Sequence, residues 1–80
     1  WEINEAFASV TVAAVKALDL DPETVNVNGS GCSLGHPIGC TGARMIVTMM
    51  NELERTDSRY GVVAMCAAGG MGSATVVERI

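Results

Sequence analysis

Apolar residues recur with helical spacing in two parts of the chain, and these parts predict two helices. The first predicted helix runs from Glu5 to Leu18, with Asn4 as its N-cap and Glu5 where the helix dipole favours a negative charge. Its spaced apolar residues are Phe7, Val10, Ala14 and Leu18. The second predicted helix begins at about Thr41. Its apolar face consists of Met45, Ile46, Met49, Met50 and Leu53.

The remaining apolar stretches have strand patterns. Residues Val25 to Asn28 alternate apolar with polar side chains, which predicts a short strand. The run from Tyr60 to Cys66 suits a buried strand, and Ala74 to Ile80 predicts a last strand beside it. Trp1 to Ile3 reads like the end of a strand that begins upstream, so we expect a piece of a longer protein. The order of strand stub, helix, strand, helix and β-hairpin predicts an α/β fold.

Composition narrows the class of protein. The chain has 80 residues, enough for one domain at most, and its 49% hydrophobic and 18% charged residues are typical of a globular protein. The net charge of −4, with five Lys and Arg, argues against a nucleic-acid or anionic-membrane partner. Cys32, Cys40 and Cys66 have no regular spacing and no export signal precedes them, which predicts reduced thiols and a cytoplasmic protein without a metal site.

Three loops beside predicted strand ends carry the residues with chemical potential, because α/β proteins build sites at such places. The first is INEAF, residues 3–7, the second is GHPIG, residues 35–39, and the third is CAAGGMG, residues 66–72. A looser alternative concerns GSGCSLG, residues 29–35, which is one residue off the dinucleotide-binding fingerprint. Because no phosphate-binding lysine motif is present, a small nucleotide-binding domain is the weaker hypothesis.

Each candidate residue in these loops has two interpretations. His36, the only histidine, is held in a tight turn by Pro37 and flanking glycines, so it is either a general base or donor, or a loop histidine bonded to the backbone. Cys66 is either an acid, base or nucleophile beside backbone N–H groups, or a small buried hydrophobe. Asn4 is either a helix cap or an amide that faces a site.

The three loops together resemble the C-terminal end of thiolases. INEAFA at residues 3–8, NGSGCSLGHPIGCTG at 28–42 and CAAGGMG at 66–72 occur in the order of that family, which comprises acetyl-CoA acetyltransferases and 3-ketoacyl-CoA thiolases. The resemblance implies that residues 1–80 are the C-terminal part of the thiolase C-terminal domain, an incomplete half-domain with a mixed sheet and helices. It implies that the N-terminal domain, which holds the nucleophilic cysteine, lies outside this sequence.

The resemblance also implies a reaction. The family cleaves 3-ketoacyl-CoA with CoA, or condenses acyl-CoA molecules in the reverse direction. We therefore expect the full-length protein to be an acyltransferase of fatty acid metabolism, first of all an acetyl-CoA acetyltransferase, and the isolated segment to be inactive. CoA thioesters are substrates, and no cofactor or metal is implied. Family members are dimers or tetramers. The alternative is a thiolase-like protein that binds CoA esters without catalysis. The presence of Asn4, His36 and Cys66 argues against this alternative.

By resemblance, four positions acquire roles. His36 activates the nucleophilic cysteine and helps bind the thioester oxygen, while Asn4 holds a water in the same oxyanion site. Cys66 is the acid/base that acts on the α-carbon and the leaving thiol. The N–H of Ala68, where many members have glycine, helps bind the acyl-enzyme oxyanion. Cys32 is expected to be a core thiol.

The family fold also predicts a defect in this segment. Its central first strand is expected to lie upstream, with Trp1 to Ile3 belonging to the second strand. A gap should then separate the predicted strand at Val25 to Asn28 from the hairpin, and unpaired strand edges favour aggregation.

Overall fold

The computed structural model describes all residues 1–80, which form a three-stranded sheet with one long helix packed on it. The strands are β1 (Glu2–Ile3), β2 (Tyr60–Ala67) and β3 (Met71–Glu78). The helices are α1 (Ala8–Ala17), α2 (Gly31–Leu34) and α3 (Thr41–Arg55), and a 3-10 turn spans Pro22–Thr24. The predicted α/β class with a mixed sheet is confirmed. None of these helices has the length and apolar character needed to cross a membrane.

The sheet has the order β1-β2-β3. Strand β1 runs parallel to β2 with Ile3 opposite Ala64, and β2 pairs antiparallel with β3 with Ala67 opposite Met71. The hairpin is confirmed, but β3 begins three residues before the predicted Ala74. The strands extend further because a short turn, Ala68 to Gly70, suffices to reverse the chain where two glycines adopt left-handed φ values.

The predicted strand at Val25 to Asn28 is wrong, since these residues form a turn. Asn26 has a φ of 51°, and its side chain replaces strand pairing along the edge of β1. Its Oδ1 accepts from the Ile3 N–H at 2.7 Å, and its Nδ2 donates to the Ile3 carbonyl at 2.9 Å. The expected gap is also wrong, because this turn borders β1 and β1 borders β2 directly.

Helix α1 begins later than predicted, and Asn4 is not its N-cap. The N-cap is Phe7, an extended residue without a side-chain capping bond. Asn4 and Glu5 stay outside the helix because both are engaged elsewhere. The Asn4 N–H donates to the Ala64 carbonyl at 2.9 Å, and the Glu5 carboxylate accepts from the Cys32 N–H at 3.1 Å. No residue of α1 is buried.

The core lies between α3 and β2. Met45, Met49 and Leu53 recur every four residues on α3 and pack around Val63. The predicted face is confirmed for these three residues, but Met50 is 57% exposed because it lies about 100° further round the helix than Met49.

A partly buried ion pair joins α3 to β1, and its arginine also reaches the glycine-rich segment, residues 29–35. Arg44 donates to the Glu2 carboxylate at 3.1 Å and to the Ser30 hydroxyl at 3.3 Å. The Ser30 hydroxyl in turn donates to the Ile3 carbonyl at 3.1 Å. Glu2 and Ser30 are both buried. Burial raises the pKa of Glu2, although the attraction of Arg44 opposes this effect.

We predict that Arg44→Met in the full-length protein lowers the free energy of unfolding by about 3–5 kcal/mol at pH 7, because it leaves the buried Glu2 carboxylate without a counter-charge. The folded-state pKa of Glu2 lies above its unfolded value, and the variant raises it further. The penalty therefore grows as pH rises through the folded pKa and shrinks as pH falls towards the unfolded pKa. Denaturant unfolding at pH 7 and pH 5 measures both effects.

The matched control is Arg55→Met, which removes an exposed arginine of the same helix from its pair with Glu52. Its effect on unfolding should be small, because exposed ion pairs contribute little. Equal losses in the two variants would contradict a special role for Arg44.

We also predict that residues 1–80 in isolation do not unfold cooperatively. Only five apolar side chains form the buried core, and every residue of β3 except Val77 is exposed. The free energy gained by burying so few apolar side chains does not offset the conformational entropy that folding removes. Thermal melting by circular dichroism and an amide NMR spectrum test this. A single sharp transition together with dispersed amide signals would overturn the prediction.

Candidate functional site

The first and third of the loops predicted to carry chemistry lie at one end of the sheet, where the parallel strands β1 and β2 end. Asn4 directly follows β1, and its N–H bonds the carbonyl of Ala64, two residues before Cys66 on the parallel neighbour β2. The glycine-rich segment closes on the same place, since a Cβ added to Gly31 would lie 3.2 Å from Asn4 Oδ1. The carboxyl ends of parallel strands are where open α/β sheets place ligands.

Asn4 is buried, and its side chain does not cap α1. The residue is 1% exposed, and neither Oδ1 nor Nδ2 bonds another group of the chain. Leaving such a group unsatisfied costs about 1–3 kcal/mol, so buried amides are normally bonded to protein, water or ligand. Because the structure removes capping as the explanation, it favours the interpretation in which the Asn4 amide faces a site.

His36 is anchored through one ring nitrogen. Its Nδ1 lies 2.7 Å from the hydroxyl oxygen of Thr41, the first residue of α3, and this hydroxyl lies 3.1 Å from the Pro37 carbonyl. Thr41 is buried and His36 is exposed. The interpretation of His36 as a histidine bonded to the backbone is wrong, because its partner is a side chain. The Nε2 atom is left accessible for a group outside these residues.

Cys66 and Ala68 present their groups beside the hairpin turn. Cys66 is an exposed free thiol near the end of β2, so its interpretation as a buried hydrophobe is wrong. Opposite it on β3 stands Gly72, whose backbone lies close enough that an added Cβ would be 3.3 Å from the Met65 carbonyl oxygen. Ala68 is the first residue of the turn. A thiol and turn N–H groups thus share one exposed edge.

The other two cysteines do not form a second site. Cys32 is exposed and is therefore not the expected core thiol. Hydrogen bonding to Glu5, then burial and the charge of Glu5, raises the pKa of the Cys32 thiol, which keeps it protonated. No group of three or more His, Cys, Asp and Glu side chains is arranged to hold a metal ion.

A groove of about 540 Å³ lies at the opposite end of the sheet, beside the start of β1, the start of β2 and the end of α3. It contains none of the four predicted site residues and no His or Cys. Its Glu52 is a poor proton donor at neutral pH, because hydrogen bonds from Arg55 and Asn28 lower the pKa of Glu52 to about 2. The chemistry of this groove makes it the weaker candidate.

Sequence reasoning missed the two residues that hold the first loop against the glycine-rich segment. A Cβ on Gly31 would lie 2.7 Å from the Glu5 carbonyl oxygen, so only glycine permits this approach. The Glu5 carboxylate accepts from both Cys32 N–H and Asn26 Nδ2. The glycines at the start of α2 are the available signal, and the sequence suggests for them only the weaker nucleotide-binding hypothesis.

We predict that Gly31→Ala in the full-length protein lowers the thermal midpoint, because its methyl group pushes against backbone that cannot give way. The matched control is Gly39→Ala in the next loop, where an added Cβ meets nothing within 4 Å. Differential scanning calorimetry compares the two variants. A midpoint for Gly31→Ala as high as that of the control would contradict the close approach of the two loops.

The comparisons with known proteins concern the whole chain. The model of the thiolase C-terminal domain matches residues 1–79. The 3-ketoacyl CoA thiolase 1, peroxisomal, of Petunia hybrida is 56% identical over 81 residues, covering 99% of this chain and 18% of the relative. Beta-ketothiolase BktB of Cupriavidus necator is 57% identical over 79 residues, covering 99% and 20%. Acetyl-CoA acetyltransferase, cytosolic, of Mus musculus is 51% identical over 79 residues, covering 99% and 20%. The chain thus spans about a fifth of the length of these relatives.

Proposed function

The chain belongs to the thiolase family, and from this we propose that the full-length protein carrying it is an acyl-CoA acyltransferase. It cleaves 3-ketoacyl-CoA with CoA, and in the reverse direction it condenses two acyl-CoA molecules. Acetyl-CoA acetyltransferase is the specific activity that we propose first. The observation that carries the proposal is the buried, unpartnered Asn4 amide at the end of β1, beside Gly31 of the glycine-rich segment.

We assign the thioester oxyanion site to Asn4 and His36. Both half-reactions place negative charge on a thioester oxygen, and donors aimed at that oxygen stabilise the transition state most. Neither polar atom of the Asn4 side chain has a partner in the chain, and we assign a water as the partner that it holds there. His36 supplies the second donor from Nε2 once that atom is protonated.

His36 also activates the nucleophile, a cysteine outside residues 1–80. The thiol proton moves to His36 Nε2, and the thiolate attacks the 3-keto carbon of the substrate. The bond between the α-carbon and the 3-keto carbon breaks, leaving an acyl-enzyme thioester and an acetyl-CoA carbanion. The exposed position of the imidazole suits this role, because its partner comes from another part of the protein.

We assign to Cys66 the proton transfers to the α-carbon and from the CoA thiol. Its thiol protonates the acetyl-CoA carbanion, and the resulting thiolate then takes the proton of the incoming CoA thiol. CoA attacks the acyl-enzyme, whose oxyanion the Ala68 N–H helps to bind, and the nucleophilic cysteine leaves with the proton held by His36. An exposed thiol beside small residues has the access that these transfers need.

We predict that His36→Ala lowers thiolysis by about 10²–10⁴-fold, because a general base and an oxyanion donor are lost together. The assay mixes the full-length protein with acetoacetyl-CoA and CoA and follows the loss of the 3-ketoacyl enolate absorbance. Arg55→Met, at the opposite end of the sheet, serves as the control that retains turnover. Cys66→Ser should lose condensation of acetyl-CoA, because a hydroxyl replaces the thiol that exchanges protons with the α-carbon.

Two results would count against the proposal. Unchanged turnover in His36→Ala would remove His36 from the mechanism. No turnover by the parent protein with acetoacetyl-CoA or with longer 3-ketoacyl-CoAs would favour a thiolase-like protein that binds CoA esters without catalysis.

We further propose that the full-length protein is a homotetramer, that it is located in the cytoplasm and that it acts in β-oxidation. Light scattering of the full-length protein tests the oligomeric state, and cell fractionation tests the location.

A further inference from the structure

The hydroxyl of Thr41 stands between the imidazole of His36 and the backbone of the turn that carries it. Its oxygen lies 2.7 Å from His36 Nδ1 and 3.1 Å from the Pro37 carbonyl oxygen. Thr41 is 1% exposed, so water does not compete for this hydroxyl. Two backbone N–H groups, of Cys40 and Thr41, donate to the same Pro37 carbonyl at 2.8 and 3.0 Å. These bonds hold the hydroxyl at its distance from the carbonyl.

The hydroxyl hydrogen of Thr41 can point either at His36 Nδ1 or at the Pro37 carbonyl oxygen. Pointed at Nδ1, it leaves two oxygen atoms 3.1 Å apart with no hydrogen between them, in a turn that does not let them separate. Pointed at the Pro37 carbonyl, it removes this repulsion, and the Thr41 oxygen accepts a hydrogen from His36 Nδ1. The second arrangement makes two hydrogen bonds where the first makes one, and bonds in such a chain strengthen one another.

We propose that Thr41 is a positioning residue that keeps the proton of neutral His36 on Nδ1, so that the lone pair lies on Nε2. Which nitrogen of a histidine reacts is set by the hydrogen bond that the other nitrogen makes. The same bond persists when Nε2 takes up a proton, because Nδ1 remains a donor to Thr41 in both states. The hydroxyl carries no charge, so it orients the ring without adding a counter-ion.

The catalytic consequence rests on the proposed function, whereas the placement of the proton does not. With Nε2 as the acceptor, His36 takes a thiol proton without first exchanging tautomers. The ring also stays aligned during the transfer, and small misplacements of a catalytic group cost rate. Neither His36 nor Thr41 depends on a group outside residues 1–80 for this arrangement.

The direct test is the tautomer of His36 in the full-length protein labelled with ¹⁵N-histidine. Two-bond ¹H–¹⁵N correlation spectra, recorded where the ring is neutral, distinguish the two tautomers, and the His36 signals are those lost in His36→Gln. We expect the proton on Nδ1 in the wild type and in Thr41→Ser, which keeps the hydroxyl. We expect a mixture or the other tautomer in Thr41→Val, which keeps the shape and removes the hydroxyl.

Kinetics give the second readout. Thr41→Val should lower kcat for acetoacetyl-CoA thiolysis by about 10- to 100-fold, by analogy with the loss seen when a partner that orients a metal-binding histidine is removed. Thr41→Ser should recover most of this loss, which a purely structural role for the methyl group does not predict.

The outcomes separate the two proposals. A proton on Nε2 in the neutral wild type overturns the role of Thr41 even if Thr41→Val does not fold. An unchanged tautomer in a folded Thr41→Val overturns it as well. A wild-type protein with the proton on Nδ1 and no thiolysis supports the tautomer and rejects the proposed function.

Discussion

The pairing of the two-residue strand β1 with β2 is the constraint on which the rest of this structure depends. It continues one residue past the strand, where the Asn4 N–H bonds the Ala64 carbonyl, and this bond sets the loop after β1 beside the end of β2. A strand so short has little pairing of its own. It is held on its other edge by the side-chain amide of Asn26 and by the hydroxyl of Ser30.

The same arrangement accommodates the partly buried pair of Arg44 and Glu2. Arg44 reaches from α3 to Glu2 and to Ser30, so one guanidinium connects the helix, the short strand and the glycine-rich segment. A buried ion pair is weak evidence for stability, because desolvation offsets the attraction between its charges. Its value here is positional. It ties α3 to β1, and Thr41, the first residue of that helix, contacts His36.

The four predicted site residues differ in burial in a way that suits the proposed chemistry. Asn4 is buried, and a backbone hydrogen bond to Ala64 holds it in place while its side chain makes none. His36, Cys66 and Ala68 are exposed. A group that binds an oxyanion through water needs a fixed position and low exposure. Groups that exchange protons with a thiol from another part of the protein need access to it. The exposed edge of these loops is therefore where the remainder of the proposed site would meet this segment.

Much of this was readable from the chain, because the relevant signals are local. The four-residue recurrence of Met45, Met49 and Leu53 determined α3 and its buried face, and the apolar run from Tyr60 determined β2. The three motifs, in order, determined the family and the candidates His36, Cys66, Asn4 and Ala68. Tertiary structure alone decided three other matters. It placed Asn26 in a turn, where its side-chain amide bonds both the N–H and the carbonyl of Ile3 at the edge of β1 in place of a neighbouring strand. It kept Asn4 outside α1, because the Asn4 N–H donates a hydrogen bond to the Ala64 carbonyl on β2. It also joined Thr41 to His36 across a turn. In each case the deciding hydrogen-bond partner comes from a segment or a geometry that helical and strand periodicity do not encode.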